Sequence, residues 1–114
     1  MGVSLGGGGE NNRHVALSWG GFHELLELAY ENGWEPMGTE APMLHYNDGR
    51  VERAKDWCGT YNSNNYQIVT ADDAANIAAA LEKVWDDIPD NPHGWKCLVK
   101  EFIELCRGGS FHIG

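Results

Sequence analysis

Apolar residues recur three and four positions apart in two stretches of the C-terminal half of the chain. Ala74, Ile77, Ala78, Leu81, Val84, Trp85 and Ile88 form one stripe, the spacing of a helix that buries one face. The stripe follows Thr70-Ala71-Asp72-Asp73, where the Thr70 hydroxyl can accept from the Asp73 amide and Asp73 can reach back to the Thr70 amide. Pro89 closes it, so the pattern predicts a helix over Thr70–Ile88. Trp95, Leu98, Val99, Phe102, Ile103 and Cys106 repeat the spacing. Arg107 suits the negative end of a helix dipole, and Gly108-Gly109 stop it, which predicts a second helix over Gly94–Arg107.

Phe22, Leu25, Leu26 and Ala29 predict a third helix over about 21–32, with Gly33 as its stop and Trp34 folded back on the last turn. A short fourth helix is expected over Gly49–Trp57, capped by Asp48 and ended by Gly59. Its apolar side would be Val51, Ala54 and Trp57 or Cys58. Val15–Trp19, Gln67-Ile68-Val69 and Ser110–Ile113 read as short strands, the last pairing with Met1–Leu5 or Val15–Trp19. Glu35–Tyr46 holds Pro36, Gly38 and Pro42 and reads as an irregular connection. Residues 6–12, which begin with four glycines, read as flexible. These elements predict a mainly helical α+β fold over 1–114, a single domain of about four helices with a small strand component near the termini.

A length of 114 residues and an apolar fraction of 42% suit one globular core. The formal net charge of −9 changes the choice of partner. Phosphate backbones and anionic membranes are poor partners for such a surface, whereas a basic protein or a cation is easier to accommodate. Arg50, Arg53 and Lys55 form a local exception, cancelled by Asp48, Glu52 and Asp56. No apolar run approaches the ~20 residues that span a bilayer. No secretory pattern is visible, and Gly6 stands where a myristoylation motif wants Ser or Thr. Cys58, Cys97 and Cys106 are odd in number and lack CxxC spacing, so reduced thiols and a cytoplasmic setting are expected.

Catalytic signals fall short. His23-Glu24-Leu25-Leu26-Glu27 is similar to the zinc-protease signature, but Glu27 replaces the second imidazole. His45, Cys58, His93 and Cys97 are zinc-ligand types without a spaced motif. The early glycine run lacks a following Lys-Ser/Thr, and Gly20-Gly21 is read as a plain turn. Cys58 as a nucleophile would need a base that the sequence does not supply. No catalytic residue, metal or cofactor is therefore assigned.

Two stretches are left as candidate binding surfaces. Trp57, Tyr61 and Tyr66 alternate with Asn62, Ser63, Asn64 and Asn65. Aromatics supply rigid contact area, and amides supply donors and acceptors. The alternative is that the asparagines build turns and the rings pack inward. Asp86, Asp87 and Asp90 crowd a helix C-terminus, where negative charge costs about 0.3–1 kcal/mol each. They mark where a basic partner would sit, unless they form only a solvated acidic loop.

Met1-Gly2, Trp19, Ser63-Asn64-Asn65, Asp73-Ala74 and Gly108-Gly109 with Phe111 and Ile113 follow one another in an order that resembles a group of small uncharacterised bacterial and phage proteins. This chain has Asn65-Tyr66 where that group has Asp-Gly, and an additional Ser110 before Phe111. The resemblance implies a single compact domain and brings no function with it. The expectation is a non-enzymatic, acidic, cytoplasmic protein that binds another protein, with phage–host conflict as one setting. The alternative is a binder of a nucleotide-like metabolite, using Trp57, Tyr61, Asn64 and Tyr66.

Overall fold

Strand β1, Gly2–Gly7, and strand β2, His14–Ser18, run antiparallel with Leu5 opposite Val15 and Val3 opposite Leu17. These four side chains are buried, while His14, Ala16 and Ser18 are exposed. That alternation is what a half-buried strand requires. The computed structural model describes residues 2–7, 12–89 and 94–114. Helix α1 follows directly at Trp19–Glu31, its start capped by the Ser18 hydroxyl, which accepts from the Gly21 amide at 3.0 Å. The predicted burial of Phe22, Leu25, Leu26 and Ala29 is observed. Gly33 takes a φ of +106°, and Trp34 folds back so that its amide donates to Ala29 at 3.0 Å.

The next elements are β3, Met43–His45, β4, Val51–Arg53, and β5, Gln67–Val69. Helix α2, Ala71–Lys83, leads into a 3-10 turn at Trp85–Asp87. Helix α3, Trp95–Arg107, and β6, Phe111–Ile113, complete the described chain. The main sheet has the order β2-β1-β6-β5, antiparallel throughout. Of the two partners expected for β6, it takes the N-terminal strand, and it also pairs β5. Val3, Leu5, Val15, Leu17, Val69, Phe111 and Ile113 line one face of this sheet, and the three helices supply the opposing core residues. Phe102 lies edge-on to Phe22 at 6.3 Å and to Phe111 at 6.1 Å, joining α1, α3 and β6. Such ring pairs contribute about 0.5–1.5 kcal/mol each beyond burial. Ala74 and Ala78 are fully buried, and α2 packs against both α1 and α3.

Several expectations are corrected. Among the described residues there are three α-helices and six strands in two sheets, so the fold is a mixed α+β domain rather than a mainly helical one of about four helices. The helix expected over Gly49–Trp57 does not form. Instead β3 and β4 make a hairpin, with Met43 opposite Arg53 and His45 opposite Val51. Asn47-Asp48-Gly49 is a turn sequence. Gly49 takes a φ of +89°, and Tyr46 donates its amide to Arg50 at 2.9 Å. Asp48 accepts from the Arg50 amide and guanidinium instead of capping a helix. The stretch Glu35–Tyr46, read as irregular, therefore contains a strand.

Helix α2 stops at Lys83, short of Ile88: Val84 leaves the helical backbone (φ −112°, ψ 15°), the 3-10 turn follows, and Pro89 holds Ile88 extended (ψ 124°). Its Thr70 cap forms as expected, with the Asp73 amide donating to Thr70 Oγ1 at 3.2 Å. The Asp73 carboxylate turns inward rather than back to the Thr70 amide. Gly6 and Gly7 belong to β1 rather than to a flexible segment, and Asn12 lies outside regular structure. The rest of that expected flexible segment, 8–11, lies outside the described residues.

Candidate functional site

Asp73 stands in the first turn of α2, fully buried. Its carboxylate accepts from the Trp34 indole at 2.8 Å, the Tyr61 hydroxyl at 2.5 Å and the Met37 amide at 3.4 Å. The Tyr61 oxygen in turn accepts from the Gly38 amide at 3.0 Å, and its ring meets Trp34 edge-on at 5.4 Å. Burial, and then the neighbouring carboxylate, hold the Tyr61 phenol well above its usual range. Trp57 is half-buried and donates to Thr39 Oγ1 at 3.1 Å, while Thr39 donates to the Thr60 carbonyl at 2.7 Å. Two of the three aromatics expected to face a ligand therefore brace the fold.

Gln67 organises the asparagine-rich stretch from inside. It is fully buried, and its amide nitrogen donates to the Ser63 carbonyl at 2.6 Å and the Thr60 carbonyl at 3.2 Å. Its Oε1 accepts from the Asn65 amide at 3.0 Å. Asn62 is exposed, its amide tied to Thr60 Oγ1 at 2.9 Å, and Asn64 is exposed. The stretch is a tight turn built on one buried amide, the alternative the sequence had left open.

Tyr66 points the other way. It is 66% exposed, takes a φ of +64°, and packs its ring over Gly114 and 5.7 Å from the His112 ring. Together with Asn65, Ile68 and His112 it forms one wall of a cleft of about 560 Å³. Pro42, Met43, Leu44 and His45, at the base and first strand of the hairpin, form the other. The structure thus joins Tyr66 and Asn65 to His45 and His112 and separates them from Trp57, Tyr61, Asn62 and Asn64. Sequence reasoning missed Met43 and Leu44. Their signal was the Asn-Asp-Gly turn, which predicts a hairpin with these residues on its first arm.

The ribbon is unusual in its exposure. All six residues of β3 and β4 are exposed, including Met43, Leu44 and Val51, and Tyr46 at the turn is exposed too. A two-stranded hairpin standing alone is marginally stable in water. Arg50 lies over the Tyr46 ring at 4.6 Å and pairs with Asp48 at 2.7 Å, which stiffens the tip.

The acidic residues are divided as well. Asp87 lines a groove of about 400 Å³ between α1 and the chain that follows α2, facing Glu24, Glu27 and Glu31. Asp86 is exposed beside it, and Asp90 lies outside the described residues. His23 is exposed, its ring 5.7 Å from Trp19. Among the described residues no group of three or more His, Cys, Asp or Glu is placed to hold a metal ion. Cys58 and Cys97 are exposed free thiols, and burial pushes the Cys106 thiol well up. No helix among the described residues is long and apolar enough to cross a membrane.

No protein-family model matches this chain, and neither a curated protein nor a solved structure matches it.

Proposed function

We propose that this protein is a non-enzymatic binding protein that grips another protein with the β3–β4 arm and its adjoining cleft. The observation that carries this reading is the exposure of Met43, Leu44, Tyr46 and Val51 on a ribbon none of whose residues belongs to the buried core. Apolar side chains placed there keep about two-fifths or more of their surface in water after folding, and a covering partner would bury the rest. Tyr66, across the cleft, is another large exposed apolar residue and extends the patch. Arg50, Arg53 and Lys55 balance Asp48, Glu52 and Asp56, so the arm escapes the acid excess of the chain. It suits an apolar, uncharged protein surface. Exposed thiols at Cys58 and Cys97 fit a reducing compartment, which supports a cytoplasmic setting.

A photo-crosslinking residue at Met43, exposed on the same arm but outside the segment replaced in the control, with capture from the native cell, tests this reading. The expected result is one dominant protein adduct that disappears when Leu44–Glu52 is replaced by a short Gly-Ser turn. Capture of the same protein by the armless variant, detected through a tag, would overturn the arm as the contact.

A second reading is favoured by the convergence of His45, Asn65, Tyr66 and His112 on one cleft. Its size falls within the range of small-molecule sites, roughly 300–1,000 Å³. A planar heterocycle could stack on Tyr66 and exchange hydrogen bonds with the imidazoles and the Asn65 amide. Native mass spectrometry of protein purified from its own cell would then show a small-molecule adduct, absent in Tyr66→Ala.

A further inference from the structure

We infer that the groove between α1 and the segment after α2 is a second binding surface, independent of the arm, and that its occupant is a basic amphipathic segment of a protein. Its floor is apolar. Leu28 comes from α1, Val84, Ile88 and Pro89 from the chain around the 3-10 turn, and Trp95 from the start of α3. Its rim is carboxylate. Glu24, Glu27 and Glu31 stand at helical spacings of three and four along α1 and rise about 10 Å along one wall. Asp87 faces them from the opposite side.

These four carboxylates stand against local helix preferences. Glu24, Glu27 and Glu31 are like charges at adjacent turns, an arrangement that weakens a helix. Glu31 also occupies the last turn of α1, which holds no basic residue, at the negative end of the dipole. Asp87 follows the C-terminus of α2. Among the described residues none of the four is ion-paired, while the salt bridges that form use Glu104, Asp48, Glu52 and Glu82. The nearby cations are turned elsewhere: Lys83 donates to the Asn32 carbonyl at 3.2 Å, and Lys96 lies over the Trp85 ring at 4.7 Å.

An apolar floor between uncompensated carboxylates matches a segment with leucine-type side chains on one face and Lys or Arg flanking them. Nucleic acid has the wrong sign for this rim, and the absence of a metal-ligating group among the described residues leaves an ion without a cage.

The test uses the full chain and a labelled amphipathic peptide of leucine and lysine in helical spacing, with a scrambled peptide of the same composition. Amide shifts on titration should concentrate at Glu24–Glu31, Val84–Ile88 and Trp95. The variant Glu24→Gln/Glu27→Gln/Glu31→Gln should bind at least tenfold more weakly, with a melting temperature no lower than the parent. Binding should also weaken as salt rises to about 0.5 M. Equal affinity for the scrambled peptide, shifts centred on the arm, or unchanged affinity in the folded triple variant would each overturn the inference.

Discussion

Trp34 and Asp73 meet in the interior, where the indole N–H donates to the carboxylate at 2.8 Å and both side chains are buried. This contact ties the end of α1 to the start of α2, and Tyr61 joins it from the loop between the hairpin and β5. Asp73→Ala would take the acceptor from the buried Trp34 indole and from the part-buried Tyr61 hydroxyl and Met37 amide, a loss of about 3 kcal/mol. Trp34→Phe should cost about 1–2 kcal/mol. The double variant should fall short of the sum by about 1 kcal/mol, since both remove the same bond. Urea unfolding of the four proteins measures all three quantities.

Alkaline pH should destabilise the fold. Tyr61 and Cys106 both have their proton affinity raised by burial, so the folded state holds protons that the unfolded chain releases. Their contribution is complete below the unfolded values of 9.0 for the thiol and 10.0 for the phenol, and it declines as pH climbs beyond them. The melting temperature should therefore drop above about pH 9. Tyr61→Phe should flatten the upper part of that slope and Cys106→Ala the lower part. Absorbance of tyrosinate during an alkaline titration should show one phenol ionising only with unfolding.

Gln67 offers a separate handle on the turn. Gln67→Met keeps the volume but removes the donor for Ser63 and Thr60 and the acceptor for the Asn65 amide. We expect a loss of about 1–3 kcal/mol. Amide exchange should accelerate in residues 60–66 more than in the helices. A uniform acceleration would mean that the amide supports the whole core rather than this turn.

The arm should be dispensable for folding. Replacing Leu44–Glu52 with a short Gly-Ser turn removes exposed residues only. Stability should change by no more than about 0.5 kcal/mol, read as an unshifted thermal transition.

How much of this was legible depended on the reach of each interaction. The stripes of α1, α2 and α3 are written in spacings of three and four, so their buried faces could be read directly. Val51, Ala54 and Trp57 have the same spacing by coincidence, and this hid the hairpin that Asn47-Asp48-Gly49 closes. Asp73 was read as a capping acid because its neighbours in sequence suggest one. Its actual partners, Trp34 and Tyr61, are 39 and 12 residues away. Glu24, Glu27 and Glu31 fall between the buried positions of α1 and are exposed, but nothing local shows that the chain beyond Lys83 returns to face them.

The bridge between Glu40 and Ile68 has a consequence for assembly. Ile68 spends its outward amide and carbonyl on Glu40, at 3.1 and 2.7 Å, so the β5 margin of the main sheet is plugged. The opposite margin, β2, has no partner strand among the described residues. The sheet can therefore be extended in one direction only. Two copies meeting through β2 would consume each other's open margin, and the assembly would terminate as a closed pair instead of running on as a fibre.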